Sequence, residues 1–357
     1  MEAQDYKSFT FLLMALVKKA QDSSEFSTWQ RNLPGKTEID SAELEQARRY
    51  GAYAINVYPA SWGLTRAAIA RQMNITEDAI QFVHFTDHDH EAHCPKFLMF
   101  LDHEMKSVVL AIRGTFSVKD VILDIVCEEV PFLAGFAHKG ILNGAQRILA
   151  KVEDKLRKCL EENPGYRVVV TGHSLGAGTA ELITLELLHG HSSNIIPVGS
   201  SVACIALAPP PVYRADTALS TQTREAIQIF INNYDCVPRL SLASVARLLA
   251  SIRAVDNLSL TLSQQFAILA ERKEEEVERN FAKVIQAVAE ARQEKFPFLQ
   301  HPGKIFYLKQ ESADAKEQIV FQQESQTFSG AILLLDNMIT DHLQPRYQEA
   351  LDNAQAR

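Results

Sequence analysis

The strongest constraint in this sequence is a β-branched run that leads into a serine framed by glycines and then into a helix. The run is Arg167–Thr171 (RVVVT), the serine lies in Gly172-His173-Ser174-Leu175-Gly176, and the helix-forming segment is Gly176–Leu188. A tight strand-to-helix turn of this kind lifts the serine oxygen clear of a sheet and aims it at the positive end of the helix. A glycine-rich turn without chemistry is the alternative. We favour Ser174 as a nucleophile.

Further apolar strands alternate with helical segments along the chain. They are predicted at Phe97–Leu101, Ser107–Ile112, Ser201–Leu207, Ala226–Ile231, Lys304–Leu308 and Gln318–Phe321. Buried strands separated by helices are typical of a mostly parallel sheet with helices on both faces. The sequence therefore predicts an α/β fold.

Two segments lie outside this alternation and divide the chain. Residues 1–40 combine an N-terminal helix with a polar linker, and residues 241–300 show helical spacing without a strand. We expect 41–240 and 301–357 to form the first and last parts of one α/β core. The segment 241–300 is then a helical insertion and a candidate lid, although helices packed permanently on the core would give the same pattern.

Both extra segments contain apolar helices. The helix at 6–20 has two interpretations, a terminal helix docked on the core and an interfacial membrane anchor. In the insertion we predict one long helix over 262–294, with Val277, Phe281, Val284 and Val288 on a heptad-like seam. Five other apolar side chains of the insertion are candidates for one lipid-facing surface: Leu242, Leu248, Leu249, Ile252 and Phe266.

Composition excludes several classes of protein. Hydrophobic residues make up 46% of the chain and charged residues 22%, which is typical of a globular protein. A net charge of −8 argues against a nucleic-acid partner. Five scattered cysteines without a C-x-x-C pair favour a reducing compartment. The acidic N-terminus and the short apolar runs predict neither a signal peptide nor a membrane span, so we expect a cytoplasmic protein, with peripheral membrane contact through 6–20 and 241–300 left open.

A serine nucleophile needs a histidine that removes its proton and a carboxylate that orients the histidine. In α/β folds with this turn, the acid and then the histidine follow the serine, each after a strand. Asp235 comes just past the strand Ala226–Ile231, and His342 is the late histidine. We prefer His342 to His301 as the base. We also prefer Asp235 to Asp341, because adjacent side chains rarely meet in the required geometry.

Developing negative charge on the substrate oxygen needs two preorganised donors. One is the amide of Leu175, directly after the nucleophile, and the other is expected from Thr115, which follows the strand Ser107–Ile112. Residues 87–94 are dense in possible metal ligands, but we interpret them as a solvated loop. We expect neither a metal nor an organic cofactor.

Several motifs together resemble the class 3 (fungal-type) lipase family. They are AIRGT ending at Thr115, Ala137-His138-Lys139-Gly140, VVVTGHSLGAG, the NxYDxVPRL stretch and the late Asp341-His342. Within that family the sequence most resembles the sn-1-specific diacylglycerol lipase branch. The resemblance implies an α/β-hydrolase fold with Ser174, Asp235 and His342 as a catalytic triad. It also implies an oxyanion hole at Thr115 and Leu175.

The resemblance implies a serine lipase that hydrolyses acylglycerol esters to free fatty acid and monoacylglycerol through an acyl-enzyme, at a membrane or droplet surface. A phospholipase A1 or galactolipase would use the same residues, and a non-catalytic lipase-like interaction module remains a further interpretation.

One departure from the family concerns the lid. The fungal enzymes carry a short helical lid after the oxyanion residue, whereas 116–136 is charged here. We therefore expect 241–300 to cover the site.

Overall fold

A computed structural model describes residues 3–23, 39–63, 65–85, 94–115, 128–291, 299–310, 318–323 and 332–355. Most of the linker after the N-terminal helix, most of the ligand-dense loop at 87–94 and much of the charged segment 116–136 lie outside these ranges. The described helices are α1 (Ala3–Gln21), α2 (Ser41–Ala60), α3 (Arg66–Met73), α4 (Lys139–Glu162), α5 (Leu175–His189), α6 (Thr221–Ala226), α7 (Leu242–Asp256), α8 (Leu262–Leu269), α9 (Glu275–Ala291) and α10 (Gln344–Asn353).

The described strands form a large sheet and a small one. They are β1 (Ile80–His84), β2 (Phe97–Asp102), β3 (Ser107–Ile112), β4 (Glu129–Pro131), β5 (Gly135–His138), β6 (Arg167–His173), β7 (Val202–Leu207), β8 (Tyr213–Ala215), β9 (Ile227–Asn232), β10 (Lys304–Gln310) and β11 (Gln318–Gln323). The large sheet has the order β1-β2-β3-β6-β7-β9-β10-β11, and β4-β5-β8 form the small one.

The centre of the large sheet is parallel, and both of its edges are antiparallel. The pairs from β3 through β6, β7 and β9 to β10 are parallel, whereas β1-β2, β2-β3 and β10-β11 are antiparallel. The register places His173 opposite Leu207, and Leu207 opposite Phe230. The carboxyl ends of β6, β7 and β9 therefore meet at one edge, where the loops after them can bring side chains together.

Helices cover both faces of the sheet, as predicted for an α/β fold. On one face α4 and α5 bury Ile148 and Leu182 against the strands. On the other, α2 and α10 bury Tyr50 and Leu351. Helix α2 begins at an N-cap, because Asp40 Oδ1 accepts the amides of Ala42 and Glu43 at 2.8 and 3.3 Å.

The described part of the segment 241–300 forms three helices up to Ala291, but the single long helix predicted over 262–294 is wrong. Helix α8 ends at Leu269 and α9 begins at Glu275. At the break Glu271 adopts a left-handed conformation with φ 53°. The amide of Arg272 donates to Ala267 O and that of Glu271 to Ile268 O, each at 3.2 Å. This is a Schellman ending with glutamate at the position where glycine is usual, so the sequence carries no stop signal there.

Helix α1 packs on the insertion and not on the two layers around the sheet. Its buried side chains share an apolar cluster, here called the third core, with the insertion and with the loops that follow β9 and precede α10. Its members are Leu13, Leu16, Val17, Ala20, Cys236, Val237, Leu240, Val255, Ile268, Val284, Val288, Ile332 and Leu334. None of the helices in the described ranges combines the length and the hydropathy needed to span a bilayer.

Candidate active site

The serine predicted as nucleophile lies on a strained turn between β6 and α5. Ser174 has φ 61° and ψ −130°, a conformation that non-glycine residues adopt only where the surrounding structure enforces it. The flanking glycines make the turn possible. A Cβ on Gly172 would overlap the backbone of Gly176, and a Cβ on Gly176 would overlap the carbonyl of Ile112. The turn therefore needs a glycine on each side of the serine.

Three side chains from distant parts of the chain form one hydrogen-bonded array. His342 Nε2 lies 2.9 Å from Ser174 Oγ. On the other side of the ring, His342 Nδ1 lies 3.1 and 2.9 Å from the two carboxylate oxygens of Asp235. Asp235 and Ser174 have no exposed surface, and His342 is 4% exposed. With Nδ1 donating to the carboxylate, Nε2 of the neutral ring is free to accept the serine proton.

The carboxylate of Asp235 is held by donors besides the histidine. The amide of Val237 donates to Oδ1 at 2.9 Å, and the hydroxyl of Tyr347 donates to Oδ2 at 2.7 Å. The amide of Asn232 in turn donates to the tyrosine oxygen at 3.0 Å. Donors of this kind offset the cost of burying a charge. Sequence reasoning missed Tyr347, because α10 carries no motif that marks it.

The loops that carry the acid and the histidine are tied to each other. Asn232 Nδ2 donates to Asp341 O at 3.1 Å, and the amide of Cys236 donates to Met338 O at 3.1 Å. The carboxylate of Asp341 accepts the amide of Tyr234 at 3.1 Å, so it faces the aspartate loop and not the imidazole beside it. Burial, with the nearby Asp235 charge, raises the pKa of Asp341 to about 6.

The other late histidine lies elsewhere. His301 is buried, and its Nε2 donates to the carbonyl of Pro238 at 2.9 Å, so that nitrogen bonds the backbone behind the aspartate loop and not Ser174. Burial lowers the pKa of this imidazole to about 4. Among the residues that the structure describes, no three His, Cys, Asp or Glu side chains are grouped as a metal site would need.

The two predicted oxyanion residues belong to backbone segments that lie next to the serine. Leu175 is the first residue of α5, where backbone amides have no acceptor within the helix. The end of β3 approaches closely from the other side, since a Cβ on Gly114 would lie 3.2 Å from that of Ser174. The buried hydroxyl oxygen of Thr115 has no hydrogen-bond partner among the described residues. A buried hydroxyl without a partner, one residue after the glycine that approaches Ser174, is the kind of donor that a developing oxyanion needs.

The site is closed to solvent. Ser174 is fully buried, and Leu175 packs against the third core.

Two of the apolar side chains predicted to share one lipid-facing surface, Leu248 and Ile252, also pack on that core. The other three face outward, being 49–57% exposed: Leu242, Leu249 and Phe266. The prediction of one common surface is therefore wrong, because the helices divide these side chains between an inner and an outer face.

Comparison with known proteins agrees with this geometry. Residues 109–245, which carry the serine turn and Asp235, match the family model of class 3 lipases. Over these residues the chain is similar to class 3 lipases. Relatives include mouse (Mus musculus) diacylglycerol lipase-beta, 28% identical over 64% of this chain and 38% of that protein, and human diacylglycerol lipase-alpha, 29% identical over 47% and 16%. A secreted mono- and diacylglycerol lipase A of Penicillium cyclopium is 30% identical over 41% of this chain and 46% of its own length.

Solved structures of fungal lipases share the fold. Rhizomucor miehei lipase in complex with its propeptide matches with a TM-score of 0.56 at 18% identity, over 87% of this chain and 83% of that one. A mutant of the lipase MDLA from Penicillium cyclopium matches with a TM-score of 0.56 at 18% identity, over 88% and 99%. The predicted α/β-hydrolase fold is thereby confirmed. The chain spans well under half the length of the diacylglycerol lipases that it matches.

Proposed function

We propose that this chain is a serine hydrolase of the lipase type that cleaves acylglycerol esters, as the names of its relatives suggest, and releases fatty acid and monoacylglycerol from diacylglycerol. One observation carries the proposal: Ser174 Oγ, His342 Nε2, His342 Nδ1 and Asp235 form a continuous line of hydrogen bonds at a strained turn. A binding module would have no use for a serine held at this cost in backbone strain.

In the first half of the reaction, Ser174 Oγ attacks the acyl carbon while His342 Nε2 takes its proton. Asp235 stabilises the imidazolium that forms. The amide of Leu175, with the amide and hydroxyl of Thr115, would bind the oxyanion of the tetrahedral intermediate. As that intermediate collapses, the ester C–O bond breaks and His342 returns the proton to the leaving glycerol oxygen. The acyl group remains on Ser174.

In the second half, water replaces the alcohol. His342 removes a proton from the water as its oxygen bonds to the acyl carbon, and the same oxyanion donors act again. The bond from the acyl carbon to Ser174 Oγ then breaks, and the proton held by His342 returns to the serine. The fatty acid leaves and the array is restored. None of these steps needs a metal or an organic cofactor.

The insertion supports a lipid substrate. We infer that α7, α8 and α9 are a lid that seals the site through the third core. Displacing them exposes apolar surface, which is unfavourable in water and stabilised at a lipid interface. Outward-facing Leu242, Leu249 and Phe266 on the lid and Phe11 on α1 are candidates for the surface that meets the lipid. We propose peripheral contact with a membrane or droplet by a cytoplasmic protein.

A substrate panel tests the proposed function. Purified protein is assayed for fatty acid release from diacylglycerol, triacylglycerol, phosphatidylcholine and galactolipid in mixed micelles, with Ser174→Ala in parallel. We expect diacylglycerol to be cleaved fastest and the variant to be inactive on all four. Faster cleavage of phosphatidylcholine or galactolipid would assign the site to a phospholipase A1 or galactolipase. Equal rates for wild type and variant would remove the proposal.

A further inference from the structure

Tyr58, in the last turn of α2, joins the loops that carry the catalytic groups. It is buried, and its hydroxyl donates to His173 Nδ1, 3.0 Å away in the serine turn. The same hydroxyl lies beside the backbone of Gly114 at the end of β3 and the side chain of Gln344, two residues after His342, and is 3.4 Å from the carbonyl of His173. One phenol therefore contacts the oxyanion loop, the serine turn and the histidine loop.

The tautomer of His173 is fixed by its partners. Its Nε2 lies 2.9 Å from the backbone carbonyl of His342, which can only accept, so Nε2 carries the proton. Its Nδ1 must then accept, and Tyr58 is the donor. The hydrogen bonds run in one direction, from Tyr58 to His173 and from His173 to the backbone of His342. A phenol and an imidazole thus hold the peptide from which the catalytic ring projects.

The position of His173 also requires it to be neutral. Its ring centroid lies 4.8 Å from that of His342 and 5.5 Å from that of Tyr347. A charge on His173 would oppose the imidazolium that forms on His342 during the reaction. Complete burial, with the neighbouring His342, keeps the pKa of His173 well below its ordinary value. The ring can therefore donate a hydrogen bond without competing for the proton.

We propose that Tyr58 and His173 are positioning residues: through the carbonyl of His342 they set the distance between its imidazole and Ser174 Oγ, and through Gly114 they hold the oxyanion loop against the same serine. The inference rests on the proposed hydrolytic function. It adds a second set of groups to the triad, none of which touches the substrate.

Paired tyrosine variants test the first link. Tyr58→Phe removes the hydroxyl at the active-site end of α2. Tyr50→Phe is the control, because the buried Tyr50 hydroxyl lies in the same helix but bonds Ser107 Oγ, at 3.0 Å, at the far end of β3. Tyr58→Phe is expected to lower kcat about tenfold with KM within about twofold of wild type, since the loss falls on geometry reached in the transition state. Tyr50→Phe should keep the wild-type kcat. Equal kcat values for the two variants would overturn the proposal.

Two histidine variants test the second link. His173→Leu removes the donor and should lower kcat about 100-fold, the cost of displacing a catalytic group by about 1 Å. His173→Gln places an amide N–H where Nε2–H lies and should recover at least about tenfold of that loss. A glutamine variant as slow as the leucine variant would show that the hydrogen bond to His342 O is not what matters.

A measurement that needs no turnover separates this inference from the proposed function. The proton shared by His342 Nδ1 and Asp235 gives a low-field NMR resonance, which should shift or broaden in His173→Leu and Tyr58→Phe and stay in place in Tyr50→Phe. If wild type cleaves no ester but the resonance responds in this way, the proposed function fails and the positioning role stands. An unchanged resonance in His173→Leu would refute the positioning role whatever the activity.

Discussion

At the scale of single residues, two acids compete for the role of orienting the histidine, and their contacts differ. Asp235 meets both the ring of His342 and the hydroxyl of Tyr347. Asp341 is next to His342 in sequence, yet its carboxylate faces the amide of Tyr234. A carboxylate on Nδ1 keeps the ring in the tautomer that leaves Nε2 free to take a proton. Only Asp235 is placed for that role.

The pair can be compared by amide substitution. Asp235→Asn keeps the size of the side chain but favours the wrong tautomer of His342, so kcat should fall by about four orders of magnitude, as in other triads. Asp341→Asn should change kcat by less than about tenfold, because the Asp341 carboxylate does not contact the His342 ring and so does not stabilise its charged form. Steady-state kinetics on a soluble ester measure both. A larger loss in Asp341→Asn than in Asp235→Asn would reverse the assignment.

His301 gives a stability prediction with a defined sign. Burial lowers its pKa to about 4 from an ordinary 6.5, so the unfolded chain binds a proton there before the folded chain does. Above pH 6.5 the histidine is neutral in both states and does not lower the free energy of unfolding. As the pH falls from 6.5 towards 4, the unfolded chain gains the proton first, and the free energy of unfolding decreases by up to about 3 kcal/mol.

The test replaces His301 by glutamine, which can still donate to Pro238 O, and uses exposed His191→Gln as the control. Urea unfolding followed from pH 7 to pH 4 should give His301→Gln a shallower loss of stability than wild type. His191→Gln should follow wild type. The same slope in all three proteins would show that His301 is not held neutral in the folded state.

At the scale of elements, the sequence predicts what repeats along the chain and misses what depends on distant partners. The buried central strands are foreseen because their β-branched runs are continuous, and β3 is predicted at its observed bounds. The short strands β4, β5 and β8 are missed, since three or four residues show no usable alternation. The helix end at Glu271 is missed because glutamate, not glycine, occupies the left-handed position.

The loop after β3 allows a test of backbone approach. A Cβ on Gly114 would overlap His173 O and the Tyr58 hydroxyl, so Gly114→Ala must displace the oxyanion loop. We expect kcat to fall about 100-fold, similar to the loss of one oxyanion donor. Gly165→Ala is the control, because its φ of 85° strains an alanine but nothing lies within 4 Å. It should cost about 1 kcal/mol of stability and leave kcat unchanged. Full activity in Gly114→Ala would contradict the role of this loop.

At the scale of the whole molecule, the third core connects α1, the insertion and the loops that carry Asp235 and His342. Gln21 makes the link specific: its side chain donates to Ile332 O at 3.3 Å and accepts the amide of Leu334 at 2.9 Å. The candidate catalytic residues could be proposed from motif and order alone. The docking of α1 could not, because an apolar helix indicates that it is buried but not what it is buried against.

Two buried leucines distinguish lid packing from core packing. Leu16 lies in the third core and Leu44 in the layer between α2 and the sheet. Leu16→Ala and Leu44→Ala should each cost about 2–5 kcal/mol of stability by opening a cavity. If the insertion is a lid, only Leu16→Ala should also raise the rate on a soluble short-chain ester, since it loosens the cover of the site. Equal rates in the two variants would indicate an insertion that stays closed.

The most direct test of the whole account is covalent labelling of Ser174. A fluorophosphonate labels a serine when a neighbouring base removes the serine proton. The reaction also needs oxyanion donors that bind the phosphoryl oxygen of the probe. We predict one label per chain in wild type, located on Ser174 by peptide mass spectrometry, and none in Ser174→Ala. Ser107→Ala, which removes a buried serine at the far end of β3, should label like wild type. Equal labelling of wild type and Ser174→Ala would contradict the account.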